Sequence, residues 1–389
     1  MPTAGLYVHI PFCRSKCRYC DFCSYPGLDA LWRDYLAAVA LEAAQAGHTL
    51  PWERMTFDTV FIGGGTPTLL PAEGLAALLA NLRRALPILP AAEISIEANP
   101  GTVERAGLAV LRAVGYNRLS LGVQSLDDGE LALLGRTHTA GEARAALAAA
   151  REAGFDNVNL DLIFGLPGQT LASWRATLAG ALALAPEHLS LYALTVEEGT
   201  PLAADIAAGR LPTPDDDLAA DMYEHAEAAL AANYAHYEIS NWARRTPGDP
   251  EFGPPRLACR HNLVYWHNER YLGLGAAAHG YDGRHRMANT ADVAEYVAHM
   301  GARQSALAES EATDRAREMG ETMMLTLRLA EGMAWAEFAG RFGVELRAVY
   351  GQTIDELAED GLLQADERGI RLTPRGRLLG NRVFGAFLP

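Results

Sequence analysis

Three cysteines carry the clearest chemistry in this chain. Cys13, Cys17 and Cys20 stand in a C-x3-C-x2-C spacing directly after a short β-like run, Leu6-Tyr7-Val8-His9-Ile10. Cysteine thiolates are the usual protein ligands of iron–sulfur clusters, and a [4Fe–4S] cubane offers four irons. Three closely spaced thiolates hold three of them. The fourth is then open to a non-protein ligand, where a cofactor can dock and be reduced. The other readings are a zinc site or packed thiols. Structural zinc takes four ligands, and no second pair with zinc-type spacing follows. Four of the five cysteines (Cys13, Cys17, Cys20 and Cys23) crowd together, while Cys259 stands apart. No export signal precedes them, so the expectation is a metal site in a reducing cytoplasm rather than a disulfide framework.

A second group of polar residues recurs at regular places. Gly63-Gly64-Gly65-Thr66-Pro67-Thr68, Glu97-Ala98-Asn99-Pro100, Gly122-Val123-Gln124-Ser125 and Asp161-Leu162-Ile163-Phe164-Gly165-Leu166-Pro167-Gly168-Gln169 each close a predicted strand. Glycines let a backbone approach a ligand closely. Glu97, Gln124 and Asp161 suit hydroxyl and ammonium groups, and Arg136 on a following loop suits a carboxylate. Taken singly, each is more often a helix cap or a loop hydrogen-bonder. Their common register points them into one mouth, since ligands of parallel barrels sit at the C-terminal strand ends.

The elements that must position these residues alternate in the manner of a parallel α/β fold. Strands are predicted at Leu6–Ile10, Thr59–Ile62, Glu93–Glu97, Arg118–Val123, Asn157–Phe164 and His188–Leu194, with a further short one at Tyr237–Ile239. Apolar periodicity predicts helices over 30–46, 72–86, 103–113, 140–153, 170–184 and 215–232. Six main strands are too few for a closed eight-stranded barrel, so the expected fold is an open, partial TIM-like (β/α)6 barrel over residues 1–240. A Pro/Gly loop from Arg244 leads into an aromatic-rich block, read with its linker as residues 241–310. Residues 311–389 read as an α+β extension with a small winged-helix-like domain, a helix at Ile354–Leu362 and a wing at Gly369–Pro374.

Composition narrows the function. A formal net charge of −15 over 389 residues argues against non-specific nucleic-acid binding and against a polybasic membrane anchor. No apolar run is long enough for a transmembrane helix. Asp355, Glu356, Glu359 and Asp360 on the predicted winged helix favour packing or docking over DNA.

The cysteine loop resembles the radical S-adenosylmethionine (SAM) superfamily, in which SAM chelates the fourth iron and is cleaved to a 5′-deoxyadenosyl radical. Tyr7-Val8-His9-Ile10-Pro11-Phe12-Cys13, then Cys17, Tyr19-Cys20-Asp21-Phe22, GGGTPT, GVQS and DLIFGLPGQT resemble the oxygen-independent coproporphyrinogen III oxidase-like family over most of the first 240 residues. The resemblance implies a barrel of the radical SAM type. It implies a [4Fe–4S] cluster on Cys13, Cys17 and Cys20. It also implies SAM held by Tyr7, Gly64, Gly65, Thr66, Glu97, Gln124, Arg136 and Asp161.

Two branches divide here. The decarboxylating dehydrogenases carry an extra N-terminal segment and another cysteine two residues after the third cluster cysteine. That position is Phe22, and the first strand is expected almost at Met1, which leaves no room for the segment. Cys23, one place later, is read as a redox thiol or a small packed residue. Cys20-Asp21-Phe22 and His261-Asn262-Leu263-Val264-Tyr265-Trp266 resemble instead the HemW-type haem-chaperone branch. That implies haem bound near the H-N-x-x-Y-W block, with His261 as candidate axial ligand and Tyr265 and Trp266 against the porphyrin face. His267 and His279 are alternatives. A C-x-x-C-H attachment run is absent. The expectation is a cytoplasmic carrier that passes haem to an acceptor protein, with cluster and SAM gating transfer or homodimer formation rather than driving turnover. The competing reading is a radical SAM enzyme acting on coproporphyrinogen III, for which Arg244 and Arg245 are thin propionate anchors. A regulator with a structural cluster is disfavoured by the acidic balance.

Overall fold

The structure is a computed structural model describing residues 1–389, the side chain of Asp29 apart. Six parallel strands cross its centre in chain order: β1 (Thr3–Ile10), β2 (Thr56–Gly64), β3 (Ile88–Ala98), β4 (Arg118–Gln124), β5 (Val158–Phe164) and β6 (His188–Ala193). Each sits where the sequence places it. The intervening helices are α1 (Trp32–Ala46), α2 (Ala72–Ala85), α3 (Arg105–Val114), α4 (Ala140–Glu152) and α5 (Leu171–Ala183), followed after β6 by α6 (Asp216–Leu230). Thr139 and Glu142 close a capping box on α4, satisfying two otherwise orphaned backbone donors.

Alternation along the strands decides which side faces what. Leu6, Val8 and Ile10, then Val60 and Ile62, Ile94 and Ile96, Leu119 and Leu121, Leu160 and Leu162, and Leu189 and Leu191 are all buried in the main core. Each such side chain contributes about 1.5–3 kcal/mol on burial. The intervening positions, among them Tyr7, Phe61, Glu97, Ser120, Asn159, Asp161, Ser190 and Tyr192, line interior cavities instead. The sheet is therefore covered by helices on one face and wraps a polar hollow on the other.

The stretch expected as a linker and aromatic-rich region extends this sheet. β7 (Tyr234–Glu238) and β8 (Asn241–Arg244) add antiparallel strands beyond β6. On the opposite edge β9 (Tyr271–Leu274) lies parallel to β1, and β10 (His279–Tyr281), β11 (His285–Asn289) and β12 (Leu307–Ala312) follow antiparallel. The order is β12-β11-β10-β9-β1-β2-β3-β4-β5-β6-β8-β7, twelve strands that do not close. Helix α7 (Arg260–Trp266) packs against β1 and β2.

A second core gathers the C-terminal residues around Phe338, Phe342, Leu346, Ile354, Ile370 and Phe384. It joins α8 (Arg315–Thr326), α9 (Trp335–Phe342) and α10 (Leu346–Glu359) to a three-stranded sheet of β13 (Met333–Ala334), β14 (Leu363–Ala365) and β15 (Gly369–Leu372). Arg286–Glu321 at 2.8 Å and Arg377–Glu227 at 2.8 Å tie this unit to the barrel. No helix is long and apolar enough to cross a membrane among the described residues.

Candidate functional site

The C-terminal strand ends enclose a pocket of about 530 Å³ lined by Cys13, Cys17, Cys20, Gly64, Gly65, Thr66, Glu97, Gln124, Arg136 and Asp161. The sequence candidates thus share one wall system, Tyr7 and His261 excepted. Phe12–Cys13 pairs with Tyr25–Pro26, which folds the cysteine loop back on itself. The glycine turn pins that loop: Gly65 N–H donates to Ile10 O at 2.8 Å and Thr66 N–H to Phe12 O at 2.8 Å. A Cβ on residue 65 would stand 2.6 Å from Phe12 O and 3.1 Å from Cys13 Sγ, so only glycine permits the approach.

No three His, Cys, Asp or Glu side chains among the described residues converge on a point for one metal ion. Cluster thiolates bind separate irons, so they need only border a shared space, as these three do. All five cysteines are free thiols. Burial pushes the Cys20 thiol up.

Arg136 bridges thiols and strand ends. Its Nη1 donates to Cys17 Sγ at 3.3 Å, and its Nη2 to Asn99 Oδ1 at 2.5 Å and Gly122 O at 2.7 Å. Its buried Nε–H has no partner, and an orphaned cationic donor on a pocket wall suits an anionic ligand group. Gln124 holds φ at 65°, in the left-handed region that costs a non-glycine residue energy and is found at ligand sites. The β4–β5 register shifts between Gly122 and Gln124. This bulge ends the ladder just where the amide enters the pocket.

Two carboxyls stand deeper. Glu97 accepts from Gly64 N–H at 3.0 Å; burial, with Asp161 nearby, pushes its pKa up to about 8. Asp161 accepts from Ser120 Oγ at 3.0 Å and Asn159 Nδ2 at 2.7 Å, and burial raises it against those bonds. Both are poised to ionise against a cationic ligand. Asn99, Ser120, Asn159 and Tyr192 belong to the site although sequence reasoning gave them no role. Their signal was alternation: Asn99 and Asn159 lie two residues along a strand line from Glu97 and Asp161, Ser120 is in register with Glu97, and Tyr192 lies two residues beyond Ser190, the register partner of Asp161.

The two exceptions lie lower. Tyr7 faces two neighbouring cavities instead of the thiol pocket, and its hydroxyl bonds His9 Nδ1 at 3.0 Å. His261 is 1% exposed. Its ring stacks on Phe61 and Tyr7 with centroids 5.3 and 6.4 Å away. Nδ1 meets Thr59 Oγ1 at 2.9 Å and Nε2 meets Tyr265 OH at 2.8 Å. Burial and Arg118 lower its pKa to about 3. The structure seats this residue as a neutral, fully bonded core histidine with no nitrogen left for an iron. Helix α7 closes the hollow from the N-terminal strand ends, where Glu93 accepts from the N–H groups of Arg260 and His261 at 3.1 and 3.2 Å.

Comparison with known proteins agrees with this geometry. The radical SAM superfamily model matches residues 7–179, and the HemN C-terminal domain model matches residues 313–379. The chain is 38% identical to the heme chaperone HemW of Bacillus subtilis over 98% of both chains. The chain belongs to the HemW family. HemW of Escherichia coli is 35% identical over 100% of this chain and 99% of that one. The bovine mitochondrial radical S-adenosyl methionine domain-containing protein 1 is 36% identical over 96% of this chain and 84% of its own length. Among solved structures, coproporphyrinogen III oxidase (HemN) of E. coli, a radical SAM enzyme, superposes with a TM-score of 0.83 at 27% identity, covering 99% of this chain and 90% of that one. This chain and HemN therefore share the open barrel and its C-terminal unit.

Proposed function

We propose that this chain is a haem chaperone: it binds haem, carries a [4Fe–4S] cluster on Cys13, Cys17 and Cys20, binds SAM in the pocket above them, and hands haem to an acceptor protein in the cytoplasm. The observation that carries the reading is the end-to-end kinship with the heme chaperones HemW, joined to a pocket in which three thiols border the strand-end polar groups. When bound, the cluster supplies an open iron that a SAM amino-acid group can chelate. The chain's own groups do the rest. Gly64 and Gly65 give the backbone room, Arg136 presents an unpartnered N–H to a carboxylate, and Glu97 and Asp161 face amino and ribose hydroxyl groups. Their bonds to Gly64, Ser120 and Asn159 fix them before the ligand arrives, which lowers the ordering cost of binding.

Phe22, 69% exposed, borders the same pocket at the position where the decarboxylating branch has its further cysteine. That supports carriage over turnover. The deciding experiment reconstitutes the cluster anaerobically and adds SAM and a strong reductant with either haem or coproporphyrinogen III. Haem should bind, with its characteristic absorbance, and pass to an apo-haem protein. No protoporphyrinogen should form. Catalytic decarboxylation by the wild type would overturn the proposal.

A further inference from the structure

Four histidines lie near the aromatic block, and their surroundings differ. His9 has Nδ1 on Tyr7 OH at 3.0 Å and Nε2 on Cys23 O at 2.8 Å. His261 is bonded at both nitrogens, as described. His267 lies between carboxylates, 3.8 Å from Glu331 and 3.7 Å from Glu337. His279, on β10, is exposed, and its imidazole forms no hydrogen bond or ion pair with the described residues. It alone can offer a ring nitrogen to a ligand without breaking an existing bond.

His279 also stands on a cavity. A cleft of about 470 Å³ separates the β1–β9–β10 rim from helix α8, within the range of small-molecule sites. Its walls are mainly apolar: Tyr265, Trp266 and Tyr271 from the barrel side, Met324 and Leu325 from α8. Flat aromatic and thioether surfaces suit the faces of a large planar ring. Trp266 Nε1–H is buried without a partner. Arg286 lies at the same cleft but is already paired with Glu321, so the cleft carries little net charge. An open apolar cleft with one free imidazole, and without charge to steer a small polar ion, fits a metalloporphyrin.

We propose that this cleft seats the haem, with His279 as the axial ligand of its iron; the inference rests on the haem-carrier reading. It gives the H-N-x-x-Y-W block a divided task. Tyr265 and Trp266 form the cleft wall, while His261 faces the barrel and holds the Tyr265 hydroxyl at 2.8 Å. His261 is then a positioning residue. The motif mechanically joins the barrel hollow to the haem seat, because Tyr7 and Tyr265 line both cavities.

The test is hemin titration of the full chain, read by Soret absorbance and by electron paramagnetic resonance of the ferric iron. Wild type should give a saturable imidazole-ligated spectrum. His279→Ala should lose that signature and restore it on adding free imidazole. Its affinity should fall at least roughly tenfold, the lower end of what losing even an outer partner of a metal ligand costs. His261→Ala should keep the imidazole signature. Leu325→Trp, which leaves every histidine in place but fills the cleft, should also weaken binding. If wild type binds hemin and His279→Ala is spectrally unchanged, the seat is elsewhere and the carrier reading survives. If wild type binds none, both fall.

Discussion

Arg136 Nη1 donates to Cys17 Sγ at 3.3 Å while the same guanidinium holds Asn99 and the Gly122 carbonyl. One side chain therefore ties a thiol of the cysteine loop to the ends of β3 and β4. Cofactor affinity and cluster environment should respond together when it is cut. Arg136→Leu should weaken SAM binding about tenfold or more, since hydrogen bonds to charged groups contribute about 1.5–3 kcal/mol. It should also shift the cluster's reduction potential, because bonds to ligand sulfurs help set it. Calorimetry and voltammetry on reconstituted protein check both. A change in neither would sink the coupling.

The five cysteines separate into three kinds. Cys13→Ala, Cys17→Ala and Cys20→Ala should each abolish the broad visible absorbance of the reconstituted cluster. Cys23→Ala and Cys259→Ala should retain it. Cys23 is exposed and should react readily with an alkylating reagent. Cys259 is fully buried, and burial pushes its thiol up to about 12, so it should react only on unfolding. Loss of the cluster in Cys23→Ala, with retention in any of the first three, would reverse the assignment.

The barrel was legible because its strands and helices are long and strongly periodic, and β1 to β6 follow the apolar runs within a residue or two at most ends. The thiol pocket was legible because its groups are chemically unusual and fall at strand ends. The added edge strands were not. β9 is a four-residue strand with a glycine, and β12 reads Leu-Ala-Glu-Ser-Glu-Ala with every side chain exposed. β9 does alternate, with Leu272 and Leu274 buried, but over too short a run to stand out, and β12 shows no buried alternation, so pairing with β1 and β11 decides their conformation. The surroundings of His261 were hidden for a related reason. Family resemblance assigns a residue a task, but only packing shows whether its nitrogens are already bonded.

Glu93 should be the structural keystone at the closed end of the hollow. It is 6% exposed and accepts from the backbone N–H groups of Arg260 and His261 and from Cys259 Sγ. Glu93→Ala leaves those donors buried and unpaired. It should cost about 3 kcal/mol or more, seen as a lower denaturant midpoint, and should loosen α7. A loss no greater than that of the exposed Glu309→Ala control would contradict this role.

Glu97 makes the protein's behaviour depend on pH in a direction that can be worked out. Its folded pKa of about 8 lies above the ordinary 4.5, because burial penalises the carboxylate and Asp161 repels it. The folded state therefore holds a proton that the unfolded state has lost. The stability this gives is full below about 4.5 and is lost as pH rises through about 8. The ligand-free protein should thus lose stability from pH 5 to pH 8, and Glu97→Gln should flatten that slope. A cationic ligand reverses the preference: the positive sulfonium of bound SAM favours the carboxylate, so binding at pH 7 should release a proton from Glu97 in addition to any that the amino group gives up on reaching the iron. Calorimetric titrations in buffers of different ionisation enthalpy count it. Greater proton release in wild type than in Glu97→Gln places the ligand's positive charge beside this residue; equal release in both would remove Glu97 from the SAM pocket's electrostatics.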